Sequence, residues 1–434
     1  MIFILFIILF IALIFTFLYE RYILHPAVIV IGLFLFSTFA ATMRYRSWGD
    51  INIITAIVIL ISCIVFVVGT GVGEKVKFKI RTSAEVNEKC LNTNRISRWK
   101  SIIIIIFMIL ITVLEFTDVV KFASGGISGF VNIITSARHN SYVQGDIINH
   151  TEFVQQGLYF SRAIAYIYIY NIANTIHIKK EKILILDVIP IFIYFVQALL
   201  STGRTELIYI IYSIIFINYC VLMDGRGWKI VNNFKFLRSI VLGLIVFFAI
   251  FIFFGNARSG NSYNALDSVT KYVGSSFIAL DNYISDKGLG VSSAYFGEYT
   301  QYLYYQILNA MGQSDKQMVN ILPILYIGEK HELTNVYTSL GRYIHDYSIW
   351  GTLLIMFFLG ILYSKAFKKI QKNTSKFGIV LYAYISYPLI EIAIEERVFS
   401  NFLTARTVFI IMYLFLAYKL LIKETFNNSK YEGF

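Results

Sequence analysis

The chain has 434 residues, of which 57% are hydrophobic and only 15% are charged. Soluble globular proteins carry roughly 25% charged residues, so this composition, with a mean hydropathy of +0.66, excludes that class. The net charge of +12 is expected from basic cytoplasmic loops, and we predict no nucleic-acid partner.

Apolar runs long enough to cross a membrane recur along the whole chain. They predict an all-α, polytopic integral membrane protein with about eleven transmembrane helices of roughly 17–25 residues each. The first run begins at Ile2 without a basic segment or a small-residue cleavage site, which indicates a retained span and not a signal peptide. The predicted spans are 2–19, 23–41, 51–71, 101–116, 157–178, 183–201, 205–223, 239–255, 347–364, 377–394 and 404–422.

Lysine and arginine identify the loops that stay in the cytoplasm. The strongest such segment is EKVKFKIRTSAEVNEKCLNTNRISRWK at 74–100. Three further basic loops fall on the cytoplasmic side as well if the N-terminus lies outside. They are 179–182, 225–239 and 365–376. This orientation divides the chain into a four-span bundle (1–116) with a basic cytoplasmic loop (72–100), a first outer loop (117–156), four central spans (157–255), a large outer loop (256–346), and three spans with a cytoplasmic tail (347–434).

The large outer loop contains a pattern typical of an amphipathic helix. In DSVTKYVGSSFIALDNYI (267–284), apolar residues recur at helical spacing at Val269, Val273, Phe277, Leu280 and Ile284. Long loops in compact proteins are commonly functional. We therefore predict a structured, functional outer loop.

Arginine is unevenly distributed under this topology, because the outer side has nine arginines against five lysines. The planar guanidinium binds phosphate at two points, which favours an anionic ligand on that side. The alternative is that these arginines pair with nearby acids or extend to lipid headgroups. The nine are Arg44, Arg46, Arg138, Arg162, Arg204, Arg258, Arg342, Arg397 and Arg406.

Two of these arginines lie in glycine-containing segments. STGRTELIYIIYS (201–213) places Arg204 in a tight turn, where backbone N–H groups can approach a phosphate. The alternative is a simple hairpin in which Arg204 caps the preceding helix. FFGNARSGNSYN (253–264) places Arg258 between two glycines at the start of the large outer loop.

The end of the same loop carries the strongest candidate for chemistry. In LGRYIHDYSIWG (340–351), Arg342, His345 and Asp346 are spaced i, i+3, i+4 and share one helix face. His345 or Asp346 is a candidate general base on an acceptor hydroxyl. Arg342 would stabilise the charge on a departing phosphate. The alternative is an intrahelical pair of Arg342 and Asp346, with His345 at the membrane interface.

Other residues near this segment are candidates for sugar binding. Asn335 can bond sugar hydroxyls, and Tyr337 and Tyr343 offer rings for stacking. In EIAIEERVFSNFLTAR (391–406), the acids and arginines either have a function or neutralise one another.

Several motifs are absent from the sequence, including Walker A, G-x-S-x-G, H-E-x-x-H, a Cys/His cluster and D-x-D. We therefore predict no metal and no cofactor. If the chain transfers a glycosyl group, the donor would have to be a lipid phosphate, and arginine instead of a metal would stabilise the charge on the phosphate.

Three segments together resemble a known family. The chain resembles the Wzy-type oligosaccharide repeat-unit polymerases, or O-antigen polymerases, in the TGRT turn (202–205), in VTKYVGSSFIALDNYI (269–284) and in NVYTSLGRYIHDYSIWG (335–351). The resemblance covers about 155–365 as spaced features. In the family the last segment usually reads aromatic-Asp-Phe-Gly, whereas this chain has His345-Asp346-Tyr347-Ser348.

The resemblance implies a GT-C-like glycosyltransferase in the bacterial cytoplasmic (inner) membrane, with its active site facing the periplasm. Such an enzyme moves a growing glycan from undecaprenyl pyrophosphate to the non-reducing end of a new lipid-linked unit. By position, Arg204, Arg258 and Arg342 would hold pyrophosphate, and Arg138 is a further candidate substrate contact. The expected partners are the lipid-linked oligosaccharides, membrane lipids, and a chain-length regulator and flippase of the same pathway.

Two other functions are open at this stage. A lipid-linked oligosaccharide flippase would have internal repeats and short loops, which the sequence does not show. An O-antigen ligase would share the fold and much of the arginine pattern.

Overall fold

A computed structural model describes the structure of residues 1–75, 91–123, 129–140, 148–201, 205–229, 238, 265–317, 319, 322, 325–328, 332–334, 336–372, 376–422 and 424–426. Helices dominate this part of the chain. They are α1 (Ile2–Glu20), α2 (Pro26–Met43), α3 (Tyr45–Trp48), α4 (Ile53–Lys75), α5 (Arg98–Phe122), α6 (Phe130–His139), α7 (Glu152–Asn174), α8 (Ile185–Leu200), α9 (Thr205–Asp224), α10 (Ala265–Lys287), α11 (Tyr302–Ala310), α12 (Ser339–Gln371), α13 (Lys376–Ile385) and α14 (Ala405–Leu421).

Short elements complete the described structure. A π-helical turn (Thr175–Lys179) follows α7, and a second one (Val398–Phe402) precedes α14. The part of the chain that the structure describes contains two antiparallel strand pairs. They are β1 (Leu91–Thr93) with β4 (Glu424–Phe426), and β2 (Leu325–Ile327) with β3 (Glu332–Thr334).

Among the described residues, six helices are long and apolar enough to cross a membrane: α1, α2, α4, α5, α9 and α12. The shorter α8 is also apolar. Many of their large apolar side chains are exposed, such as Ile103 at 66% and Phe358 at 55%, as expected for contact with lipid. The chain is therefore an all-α, membrane-embedded protein. The total of eleven spans stays a prediction, and the predicted span 239–255 lies outside the described residues.

The predicted span 377–394 is wrong in its second half. Helix α13 ends at Ile385, and a 3₁₀ helix follows at Tyr387–Glu391. Pro388 has no N–H group and disfavours the helical conformation of the residue before it. The chain therefore leaves the α-helix at this point, although its composition is still apolar.

The chain forms two compact units, and each is discontinuous in sequence. The first contains Met1–Lys77, Ser259–Lys372 and Ile385–Thr407, and the second contains Phe78–Arg258, Asn373–Tyr384 and Val408–Phe434.

In the first unit, α4 and α12 pack through glycines. A Cβ atom added at Gly360 would lie 3.0 Å from the backbone nitrogen of Thr70 and closer still to the carbonyl oxygen of Phe66. Gly69 and Gly73 of α4 are equally close to the backbone of α12. Small residues at such spacing let membrane helices approach closely. This contact fixes the position of α12, which carries the candidate site.

The amphipathic helix predicted in the large outer loop is present as α10. All five residues of its apolar pattern are buried: Val269, Val273, Phe277, Leu280 and Ile284. On another face of α10, Gly274 lies against the backbone of Ala40 and Ala41 in α2. Helix α10 is therefore part of the core of the first unit.

Candidate functional site

Helix α12 is broken at Ser348, three residues after His345. Ser348 has φ 62° and ψ −179°, a conformation that costs a non-glycine residue about 1–3 kcal/mol. The break separates a polar first part (339–347) from the apolar part (349–371) that can cross a membrane.

The segment 288–301 covers this break. It lies along the polar part of α12 and contributes Glu298, Tyr299 and Thr300 to the candidate site. The N–H groups of Ser292 and Ser293 donate to the carbonyl oxygen of His345, at 2.9 and 3.1 Å. The polar residues of α12 are thus enclosed by protein.

Arg342 is 3% exposed and already has a counter-ion. Its Nη2 atom donates to Glu395 Oε1 at 2.8 Å, and Nη1 donates to the carbonyl oxygen of Tyr299 at 3.2 Å. Its Nε atom is buried and has no hydrogen-bond partner among the described residues. The predicted alternative of an Arg342–Asp346 pair is wrong in its partner, because the guanidinium bonds Glu395 instead.

The contact to Glu395 continues into a chain of alternating charges. Arg397 donates from Nη2 to Glu395 Oε2 at 2.6 Å and from Nε to Glu391 Oε2 at 2.7 Å. Glu391 and Glu395 are therefore neutralised by Arg397 and Arg342, as one of the two sequence interpretations expected, whereas Glu396 accepts hydrogen bonds from Tyr343, Phe399 and Ser400. Because Glu395 already accepts hydrogen bonds from both arginines, an incoming anion would have to compete with Glu395 for Arg342.

Asp346 holds the covering segment in place. Its carboxylate accepts the N–H group of Tyr299 at 3.1 and 3.2 Å and the hydroxyl group of Thr300 at 2.7 Å. The residue is 4% exposed. Hydrogen bonds to a buried carboxylate are strong and directional. Asp346 thus positions the residues that surround His345.

The imidazole of His345 contacts three side chains. Nε2 lies 3.3 Å from Glu298 Oε2, and Nδ1 lies 3.2 Å from the hydroxyl oxygen of Tyr283. The ring of Tyr299 stacks on the imidazole, with 3.8 Å between centroids and 9° between planes. An imidazole between a carboxylate and a hydroxyl can take up a proton.

The two tyrosines predicted to stack on sugars are buried. Tyr343 is 0% exposed, and its hydroxyl group donates to Glu396 Oε1 at 3.1 Å. Tyr337 is 6% exposed and packs with Ala279 and Leu322. The expectation of an open stacking face at Tyr343 is wrong for this structure, because its ring is enclosed by protein on all sides.

The structure brings together only part of the predicted set. Arg342, His345 and Asp346 share one site with Tyr337 and Tyr343 in the first unit. Arg138 lies in the last turn of α6 in the second unit. Arg204, Arg258 and Asn335 lie outside the described residues.

Other arginines of the predicted outer set pair with acids. Arg162 is 3% exposed, and its Nη1 atom lies 3.0 Å from Glu206 Oε2. Arg44 forms ion pairs with Asp267 and Glu332. These contacts fit the alternative that such arginines are compensated within the protein.

One group of side chains in the described residues is compact enough to consider as a cation site. It consists of Glu20, His25 and Glu74. His25 Nε2 lies 2.9 Å from Glu74 Oε1, and Nδ1 accepts the N–H group of Ala27. Because Nδ1 is the acceptor, Nε2 carries a proton that points at the carboxylates. The group is therefore a hydrogen-bonded cluster around His25 and not a site prepared for a metal.

Sequence reasoning missed Glu298 and Tyr283. Glu298 comes from AYFGEYT (294–300), where an acid follows a glycine inside an aromatic segment. That combination is a usable signal, because glycine permits the positive φ of 68° found at Gly297. Tyr283 lies within the amphipathic segment 267–284, at a position that the apolar periodicity does not include.

Comparison of the chain with protein-family models, with curated proteins and with solved structures finds no match.

Proposed function

We propose that this chain polymerises lipid-linked oligosaccharide repeat units at the outer face of the bacterial cytoplasmic membrane. The growing glycan would move from undecaprenyl pyrophosphate to the non-reducing end of a new lipid-linked unit. The chain would thus be a Wzy-type glycosyltransferase, acting with a chain-length regulator and a flippase of the same pathway.

The observation that carries the proposal is the enclosed group of His345, Glu298 and Arg342 at the break in α12. An imidazole next to a carboxylate can accept a proton from an acceptor hydroxyl, and a guanidinium can stabilise a departing phosphate. The group lies beside a helix of membrane-spanning length, which suits a lipid-linked substrate. The sequence segments that resemble the family support the same reaction.

Deletion of the gene tests the reaction class. A polymerase mutant retains a single repeat unit on the lipid acceptor, and its ladder of longer glycans disappears from a gel of surface polysaccharide. Loss of capped lipid with accumulation of polymer on the carrier would favour a ligase. Loss of both would favour a flippase. A full ladder in the deletion strain would contradict all three.

A second experiment separates phosphate binding by Arg342 from its ion pair with Glu395. Arg342→Ala should collapse the ladder, and Arg342→Lys should restore little, because lysine lacks the two-point fork. The double variant Arg342→Gln with Glu395→Gln removes both charges of this ion pair and leaves Arg397 paired with Glu391. If Arg342 binds phosphate, the double variant stays inactive while its amount in the membrane is normal. A ladder restored in the double variant would show that the ion pair was the only role of Arg342.

A further inference from the structure

The hydrogen bonds around His345 assign a different task to each ring nitrogen. Glu298 Oε2 also accepts the N–H group of Ala294 at 2.8 Å. An ionised carboxylate can only accept hydrogen bonds, so the proton of the neutral imidazole lies on Nε2 and points at Glu298. The lone pair of Nδ1 then faces the hydroxyl group of Tyr283, which donates to it.

Access to the imidazole is restricted. His345 is 8% exposed, and Tyr299 covers one face of its ring. Tyr283 is only half-buried and lies on α10, outside the membrane-spanning helices. Among the groups that contact the imidazole, the Tyr283 hydroxyl is therefore the one that a substrate hydroxyl can reach on the Nδ1 side.

We propose that Tyr283, His345 and Glu298 form a proton relay, in which the Tyr283 hydroxyl group, and not the imidazole, receives the proton of the acceptor sugar. This inference rests on the proposed function. The acceptor oxygen forms a bond to the anomeric carbon of the donor glycan while the bond from that carbon to pyrophosphate breaks. The pyrophosphate leaves with the electron pair of the broken bond.

The proton follows the hydrogen bonds already present. The acceptor hydroxyl gives its proton to Tyr283 Oη as Tyr283 gives its own proton to His345 Nδ1. The imidazolium that forms is stabilised by Glu298 at Nε2, and it returns its proton to solvent after transfer. The arrangement has the same order of groups as a catalytic triad of hydroxyl, imidazole and carboxylate. Here, however, the hydroxyl transfers a proton and forms no covalent bond to the substrate.

The protonation of Tyr283 agrees with this order. Burial raises the pKa of Tyr283 above its ordinary value, and a hydrogen bond with Ser292 offsets part of the rise. The phenol is therefore protonated at neutral pH and cannot act as a base alone. It needs His345 to take its proton.

The relay also separates the roles of the neighbouring carboxylates. Asp346 accepts three hydrogen bonds from Tyr299 and Thr300 and does not contact the imidazole. It is a positioning residue, because it fixes the segment that carries Glu298. Glu298 is the carboxylate that stabilises charge on His345.

The test compares Tyr283→Phe and Glu298→Gln with two control variants in membranes supplied with lipid-linked repeat units. Tyr304→Phe is the tyrosine control, since Tyr304 is 45% exposed in the neighbouring α11. Asp315→Asn is the acidic control, because Asp315 is an exposed carboxylate of the same unit. Both controls should retain the native rate.

Tyr283→Phe should reduce kcat by about 10²–10⁴-fold, the usual contribution of general base catalysis, with KM nearly unchanged. Glu298→Gln should reduce kcat and shift the acid limb of the rate profile to lower pH, because the imidazolium loses its counter-charge. The pair of Tyr283 and His345 is also faced by Lys287, Tyr299 and Asp346. These three residues are unchanged in Glu298→Gln. If Tyr283 and Glu298 had purely structural roles, their substitution would leave the pH profile in place and would not lower kcat while KM stays unchanged.

The possible outcomes separate the relay from the proposed function. If the native chain builds the ladder and Tyr283→Phe retains full kcat, the relay is overturned and the polymerase function stands. An unchanged pH profile in Glu298→Gln would likewise overturn it. If the purified native chain builds no ladder, the proposed function fails, and the relay fails with it.

Discussion

His345 and Ile349 stand four residues apart on α12, yet their backbone groups do not bond to each other. In an α-helix the N–H group of Ile349 would donate to the carbonyl oxygen of His345. Instead Ile349 donates to the carbonyl oxygen of Leu289 at 3.0 Å, and His345 accepts from Ser292 and Ser293. The segment 288–301 thus replaces one helical hydrogen bond by three bonds to itself.

The first prediction concerns the strain at this break. Ser348→Gly should raise the free energy of unfolding by about 1 kcal/mol. Glycine adopts φ 62° without the strain of about 1–3 kcal/mol that serine has there. Part of this gain is lost because glycine gives the unfolded chain more conformational entropy. Ser348→Ala keeps the strain and is the control. Thermal unfolding in detergent measures both variants. Equal midpoints for the two would show that the backbone at Ser348 is unstrained.

Much of the fold is predictable from the sequence, because the length of an apolar run can be read from neighbouring residues alone. The described helices α1, α2, α4, α5 and α9 match predicted spans to within several residues. The break at Pro388 and the start of α12 at Ser339 were missed. The break at Pro388 follows from the missing N–H group of proline, which a count of apolar residues does not register. The start of α12 at Ser339 depends on polar groups that distant segments satisfy, and an apolar run does not reveal those partners.

The candidate site was predictable only where its residues are neighbours in the chain. The helical spacing predicts that Arg342, His345 and Asp346 share one helix face, and in the structure all three contact Tyr299. Their partners lie 43 to 62 residues away in sequence, as with Glu298 and Tyr283 for His345, and Tyr299 and Glu395 for Arg342. No periodic pattern connects residues at such separations, so only packing shows the relay and the ion pair.

The second prediction distinguishes a structural from a sugar-binding role of Tyr343. Tyr343→Phe should lower the free energy of unfolding by about 1–2 kcal/mol, because the buried carboxylate of Glu396 loses a hydrogen-bond donor. The ladder of surface glycan should be normal when the variant is folded. A stable variant with a lost ladder would instead indicate that the hydroxyl group contacts substrate.

The third prediction concerns the contact of α4 with α12. Gly360→Val should destabilise the chain by about 1–3 kcal/mol or more, because its side chain would overlap the backbone of Phe66 and Thr70. Gly71→Ala is the matched control on α4, since a Cβ atom there meets no described atom within 4 Å. That control should be neutral or stabilising by about 0.5–1 kcal/mol. Thermal unfolding tests both, and equal midpoints for the two variants would contradict close packing.

The fourth prediction concerns the buried charge of Arg162 in the second unit. Its guanidinium lies between the rings of Tyr209 and Tyr384, at 5.4 and 5.1 Å from their centroids, and pairs with Glu206. Breaking a buried pair by removal of one partner costs about 3–5 kcal/mol, so Glu206→Ala should lower the unfolding midpoint strongly. Glu181→Ala is the control, because its side chain is 53% exposed and an exposed pair contributes about 0–1 kcal/mol.

The paired variant Arg162→Met with Glu206→Gln completes this experiment. It removes the buried charge together with its counter-ion and keeps the volume of the arginine stem, so it should recover most of the lost stability. If it is stable and still builds the glycan ladder, Arg162 serves packing alone. If it is stable and builds no ladder, the second unit contributes a cation to the reaction, and the outer arginines do more than compensate their neighbours.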